Sequence, residues 1–346
     1  MFLRRLCRRD TIKFSEKLLD RYRFPEFGNY HFYTSRAASS SQQIASDIYR
    51  SDEDEANVNW EELGFGIVPT DYMYVMKCSK EDRFSEGKLN RFGNIEMSPS
   101  AGVLNYGQGL FEGLKAYKRE DGCLALFRPE ENALRMQKGA ERMCMPSPSV
   151  EQFVDAVKQT VLANKRWEGL SPINLFVDDE FHRATPGGTG GVKTISNYAP
   201  VLKAQALAKS KGFSDVLYLD SINKRNLEEA SSCNVFIVKN DVISTPTIEG
   251  TILPGITRKS IIEICPHYGY QIQERPVSVE ELMDADEVFC TGTAVVIAPV
   301  GSIMYHGKRV EYRSGVETVS QKLYSALTSI QMGLVEDKMG WTVEID

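Results

Sequence analysis

The sequence predicts an α+β fold, and three observations carry that prediction. Segments of helical and of strand-like periodicity follow one another without the regular strand–helix–strand alternation of a doubly wound sheet. The globular pattern begins only after Gly64 and then runs to the C-terminus, which in a chain of 346 residues is enough for two domains. No internal repeat is visible.

The first stretch, MFLRRLCRRDTIKFSEKLL, is arginine-rich and mildly amphipathic; a serine-rich segment (34–43) and an acidic one (51–63) follow. That order reads as a transit peptide and linker over 1–59, with mitochondrion favoured over plastid because arginines crowd the first nine residues. Asp10, Glu16 and Asp20 dilute the pattern, and a basic tail without a targeting role is the competing reading.

Beyond it, DYMYVMK, GNIEMS and LKAYKREDGCLALFRP read as strands and hairpins, with Asp121-Gly122 as a turn. A helix is expected from Glu130 to Met143. Another starts at Ser149, where Ser149 and Gln152 fit a capping box and Val150, Phe153, Val154, Val157, Val161 and Leu162 recur at helical spacing. The strand INLFVD, a glycine-rich loop (187–191) and a helix from Pro200 to Lys211 ended by Gly212 come next. Strands at DVLYLD, NVFIVK and DVISTP precede a helix over Arg258–Ile264. Ser278 with Glu281 caps a short helix; EVFCTG, a hairpin at His306-Gly307 and a helix near 316–331 complete the chain.

Composition narrows the function classes. A net charge of −6 argues against nucleic-acid binding, whose affinity comes from Lys and Arg neutralising phosphates. No apolar run has the length to cross a bilayer. Seven scattered cysteines without a CxxC pair fit reduced thiols, and four histidines without clustered ligands leave a zinc site no basis.

PGGTGGVKTISNYAP (186–200) is the most informative segment, with four glycines in five loop residues and then Lys193. It matches a phosphate-binding P-loop except that Val192 replaces the second glycine, and DDEFHRATP is a poor strand into such a loop, which disfavours nucleotide hydrolysis.

GGVKTISNYAPVLKA, together with NYGQGLFEGLKAY, LFRPEENALRM, LEEASSCNVF, GTILPGITRKS and EVFCTGTA, resembles the branched-chain amino-acid aminotransferases, the plant members above all. The resemblance runs in order from Trp60 to the C-terminus. It implies a fold-type IV pyridoxal-phosphate enzyme: a smaller α/β domain (60–167), a larger barrel-like domain (168–346), and a homodimer acting on branched-chain amino acids and 2-oxoglutarate. On that resemblance Lys193 is the Schiff-base lysine and later the proton carrier. Tyr198 hydrogen-bonds the cofactor's phenolic oxygen, and Glu229, rather than its neighbour Glu228, pairs with the pyridine nitrogen. Arg135 binds the phosphate with the Ile256 and Thr257 backbone and the Thr293 hydroxyl. Tyr106, Phe111, Ser232 and Ala294 line the substrate side, Thr293 and Ala294 meeting its carboxylate. The residues alone leave duller alternatives: a solvated Lys193, and an i, i+4 pair of Arg135 with Glu131. Val295 and Ala298 stand where some members carry a CxxC pair. D-amino-acid aminotransferases and aminodeoxychorismate lyases share the fold and are the competing enzymes.

The resemblance also implies a departure. After Trp167 the chain runs directly into Glu168-Gly169-Leu170, where the family carries on the order of forty further residues, enough for two strands with their loops. A substrate-side tyrosine and arginine go with them. The expectation is impaired folding or activity, or a non-catalytic isoform that pairs with intact subunits.

Overall fold

The computed structural model describes residues 69–79, 83–164, 175–178 and 180–345. The presequence, the acidic linker and the Trp167–Glu168 join lie outside them.

Two small sheets and three helices make the N-terminal half. Strand β1 (Tyr72–Val75) pairs antiparallel with β2 (Lys88–Arg91). The strand expected over GNIEMS is absent: pairing stops at Phe92, whose N–H reaches the Asp71 carbonyl, and residues 93–98 are exposed and join no strand among the described residues. Their alternation of Ile95 and Met97 has the period of a strand, but period alone supplies no ladder. A short helix, α1 (Gly102–Tyr106), leads to the expected hairpin of β3 (Ala116–Lys118) and β4 (Leu124–Phe127), with Gly122 at φ 84° in its turn. Helix α2 (Pro129–Arg142) opens with Pro129 and Glu130–Glu131, where a fixed φ and negative charge both suit a helix N-terminus. Helix α3 (Val150–Ala163) carries the capping box of Ser149 and Gln152, yet none of its residues is fully buried. Its apolar face, with that of α2 and with β1, β3 and β4, lines a cavity of about 540 Å³. Asn164, at the end of α3, ties β1 down by accepting from the backbone N–H groups of Asp71 and Tyr72.

The C-terminal half is one curled ten-stranded sheet. Strand β5 (Leu175–Asp178) leads through a glycine-rich loop and a 3-10 turn (Ile195–Tyr198) to α4 (Val201–Ser210). Then come β6 (Asp215–Leu219), β7 (Leu227–Ala230), β8 (Asn234–Lys239) and β9 (Val242–Thr245). Helix α5 (Ile256–Ile264), β10 (Gln271–Glu274), α6 (Val279–Met283), β11 (Glu287–Gly292) and β12 (Val296–Pro299) follow. Strands β13 (Ser302–Tyr305) and β14 (Lys308–Glu311), helix α7 (Val319–Gln331) and β15 (Thr342–Ile345) end the chain. The sheet runs β10-β9-β8-β7-β6-β5-β13-β14, with β11 and β12 joined to it through β8. β5–β6, β13–β5 and β9–β10 are parallel and the other pairs antiparallel, so the sheet is mixed.

Strands β6 to β8 are buried almost throughout: one face packs on Val277, Leu282 and Ile303, while the other face of β6 packs on α4 and that of β8 on α5 and α7. Phe236 and Phe289 stack at 5.0 Å in the second layer. The His306-Gly307 turn has both residues at positive φ (44° and 75°), the two-residue hairpin geometry expected there. The domain boundary at 167 puts the C-terminus in the larger domain, but β15 pairs with β4 in the small sheet, and Trp341 packs edge-on against Phe127.

Candidate active site

Lys193 sits just after the glycine-rich loop, and its backbone is pinned by a bridge between segments 109–111 and 193–195. Phe111 N–H reaches the Lys193 carbonyl at 3.2 Å and Ile195 N–H the Gly109 carbonyl at 3.0 Å. The glycines serve packing. A Cβ on Gly190 would lie 2.3 Å from the Thr251 carbonyl oxygen and 2.4 Å from the Ala184 methyl, so only glycine lets the loop close on residues 250–251.

The Lys193 amine is half-buried, 3.4 Å from the Tyr198 hydroxyl and 4.5 Å from the centre of the Phe111 ring, which in turn meets Tyr198 edge-on at 5.1 Å. Loss of solvation, with the nearby Arg135 guanidinium, pushes its pKa from 10.5 down to about 8, while Glu112 and Glu229 pull the other way. Such an amine can shed its proton and attack an aldehyde near neutral pH. Burial raises the Tyr198 phenol, and Arg183 opposes that rise.

Glu229, on β7, is 2% exposed. Its carboxylate faces the Arg183 guanidinium at 2.6 Å, accepts from Leu253 N–H at 2.7 Å and from the Asn234 amide at 3.3 Å. Burial pushes the carboxyl up to about 7, against the pull of Arg183. Glu228, its neighbour, is also buried and raised by burial, but it makes no ion pair among the described residues.

Arg135, on α2, does not pair with Glu131. Its guanidinium is gripped on two sides by Glu112, Nε to Oε1 at 3.0 Å and an Nη to Oε2 at 2.6 Å, and donates to the Pro254 carbonyl at 3.2 Å. Glu131 instead takes Lys259 at 2.6 Å. Pro254 leads into α5, whose first residues, Ile256 and Thr257, are buried and whose N-cap, Gly255, offers no side-chain acceptor. A Cβ on Gly255 would stand 2.0 Å from the Asn234 Oδ1. Buried, uncapped helix N–H groups beside an arginine are an anion seat. Thr293 lines the same cleft as Ile256, Thr257, Asn132 and Gly113.

The remaining expected residues are more scattered. Ala294 is exposed in the β11–β12 turn, and Ser232 is exposed with its carbonyl beside Gly292, just ahead of that turn. Tyr106 is 83% exposed at the end of α1 and is not brought to Lys193. Arg183, Glu112 and Asn234 carry much of the site's geometry and escape the sequence reading. Arg183 and Glu112 look like ordinary surface charges in sequence, and only the fold buries them. Their one signal is adjacency to quoted motifs: Glu112 inside GLFEGLKAY, Asn234 inside LEEASSCNVF. Cys78, Cys123, Cys144, Cys233, Cys265 and Cys290 are all free thiols.

A family model described as amino-transferase class IV matches residues 171–303, the stretch that holds Lys193, Tyr198, Glu229, Thr257 and Thr293. A branched-chain amino acid aminotransferase 2, chloroplastic, of Humulus lupulus is 60% identical over 345 aligned positions, covering 87% of this chain and 85% of that protein. A mitochondrial branched-chain amino acid aminotransferase 1 of the same plant is 54% identical and covers 92% of each chain. Among solved structures, the branched-chain amino acid aminotransferase from Escherichia coli superposes with a TM-score of 0.68 at 26% identity, over 80% of this chain and 99% of that one. The enzyme of Thermoproteus uzoniensis, solved with norvaline, gives a TM-score of 0.69 at 24% identity, over 80% of this chain and all of that one. The chain belongs to the branched-chain amino-acid aminotransferases.

Proposed function

We infer that this chain is built for transamination between leucine, isoleucine or valine and 2-oxoglutarate with pyridoxal 5′-phosphate as cofactor. The observation that carries the reading is the Lys193 amine, pushed down to about 8 and set 3.4 Å from the Tyr198 hydroxyl, in a chain 60% identical to a plant branched-chain enzyme. When bound, the cofactor supplies an aldehyde to take up the amino group and a ring that withdraws electrons from substrate Cα.

The residues present fit that group. Arg135, oriented by Glu112, and the uncapped start of α5 would hold its phosphate. The buried Glu229 carboxyl, near 7 and braced by Arg183, would hold and share a proton at the ring nitrogen. Tyr198 would donate to the phenolic oxygen. Lys193, once released, would take the proton from substrate Cα and deliver it to the cofactor's C4′, on the far side of the amino nitrogen. Phe111 would give the side-chain pocket an apolar wall, and the turn at Thr293 and Ala294, with Ser232 beside it, would meet the substrate carboxylate.

Three finer readings belong with this one. Tyr106 and the face around it would be covered in a homodimer, which light scattering would test. Residues 1–59 would direct the chain to an organelle, and the arginine-crowded start favours the mitochondrion; a fluorescent fusion of that segment decides between mitochondrion and plastid. The small domain would be short of a segment its relatives possess. The alignment with the Humulus lupulus protein is 345 positions long yet takes in 87% of 346 residues, so roughly forty aligned positions have no counterpart here. The cavity of about 540 Å³ beside α3, a helix with no buried residue, fits that loss.

The test is direct. The full chain is loaded with cofactor; one portion is reduced with borohydride and the labelled lysine mapped, and an unreduced portion is assayed with L-Leu, L-Met and D-Ala. Label on Lys193 with turnover of L-Leu is expected. Label elsewhere sinks the site; a chain that takes up cofactor without turnover favours the impaired isoform. A methionine aminotransferase of Arabidopsis thaliana is 47% identical, so a preference for L-Met would move the substrate reading.

A further inference from the structure

The turn between β11 and β12 is under strain and is held from outside. Gly292 pairs with Val296 across it, and Val296 lies at φ 55°, a left-handed conformation that a β-branched residue rarely adopts. Val296 has little choice, because its side chain is 1% exposed in the core beneath α7. Strain of this kind persists only where surrounding contacts over-determine the backbone. Two such contacts come from one short segment ahead of β3. The Thr293 hydroxyl donates to the Gly113 carbonyl at 3.2 Å, and the Lys115 ammonium donates to the Ala294 carbonyl at 2.6 Å.

Lys115 is an unusual residue to find there. It is half-buried, and loss of solvation pushes its pKa from 10.5 down to about 8, so its charge is held where it costs energy. The neutral alternatives for binding one carbonyl are cheaper. A cation adds two things: a short charge-assisted hydrogen bond, and a positive charge beside the turn. A planar peptide also points its N–H opposite to its C=O, so fixing the Ala294 oxygen fixes the direction of the Val295 N–H.

We propose that Lys115 is a positioning residue that holds the strained 293–296 turn, so that the turn's backbone donors are set to receive a carboxylate. The inference rests on the reading above that this turn meets the substrate carboxylate. It assigns Lys115 no contact with the reacting atoms.

The probe is 4-methylpentanoate, which has the carboxylate and branched tail of a substrate but no amino group to react. Its affinity for the full, cofactor-loaded chain is measured by calorimetry for wild type, K115M and K115R. Hydrogen exchange is followed over residues 291–297, with β8 as internal reference. K115M should bind the probe about tenfold more weakly, the loss of one charge-assisted hydrogen bond. It should also exchange faster over the turn and unchanged over β8, with cofactor affinity held within about twofold. K115R, which keeps the charge and the reach, should restore most of the binding. K115M is expected to fold because it removes a half-buried charge and keeps the stem; K115Q gives the same comparison should it not. Wild-type binding that K115M and K115Q both match overturns the inference alone. A wild-type chain that binds no carboxylate overturns the reading of the turn, and the inference with it.

Discussion

Around Lys193, opposing charges set one amine's proton affinity. Arg135 lowers it and Glu112 and Glu229 raise it, so their removal should move the amine in opposite directions. The Lys193 amine loses its proton as pH rises through about 8. Arg135→Gln should therefore shift the pH profile of Lys193 labelling by pyridoxal to higher pH, and Glu112→Gln to lower pH. Cofactor-free protein reduced with borohydride after each pH step reads this directly; a common direction for both variants would refute the electrostatic account. Arg183 is the other decisive residue. Its guanidinium and the Glu229 carboxylate are each 2% exposed, and breaking such a pair leaves a buried charge behind. Arg183→Met should cost about 3 kcal/mol in chemical denaturation and raise the Glu229 carboxyl further, so that it stays protonated to higher pH.

At the level of single elements, much of the fold follows from local chemistry. The capping boxes at Ser149 and Ser278 and the turns at Asp121-Gly122 and His306-Gly307 were legible because a short side chain or a left-handed residue suffices to make each one. GNIEMS failed and β15 was missed for the reverse reason: a strand needs a partner, which GNIEMS does not find among the described residues and which for β15 is β4, far along the chain. Helix α7 illustrates a cap that sequence cannot show. The Glu287 carboxylate, on β11, accepts from the Val319 and Ser320 N–H groups at 2.9 and 2.7 Å, some thirty residues away. Glu287→Ala should leave those donors buried without a partner and lower stability by about 2–3 kcal/mol, read from the urea midpoint at unchanged slope.

For the whole molecule, the balance between the two halves matters most. The ten-stranded sheet has dense cores on both faces, whereas α2 and α3 flank an open, largely apolar cleft of about 540 Å³. A helix that buries none of its residues gains little from packing, and isolated helices of its length are marginal in water. Inserting at Trp167–Glu168 the segment of about forty residues that the family resemblance implies should raise the thermal midpoint by several degrees and increase turnover of L-Leu. Roughly 1 kcal/mol shifts a domain of this size by about 2–4 °C. An unchanged midpoint would show that the cleft is not the seat of that segment.

Sequence alone determined the family and the succession of most elements, and it singled out Lys193 as the candidate central lysine. These depend on residues adjacent in the chain, where spacing and side-chain type are the whole of the physics. Tertiary structure decided what those residues experience. It set Glu229 against Arg183, turned Arg135 from Glu131 to Glu112, left Tyr106 on the surface and put a half-buried Lys115 on the Ala294 carbonyl. Burial and long-range charge pairing fix proton affinities, and both are properties of three-dimensional proximity that no local pattern encodes.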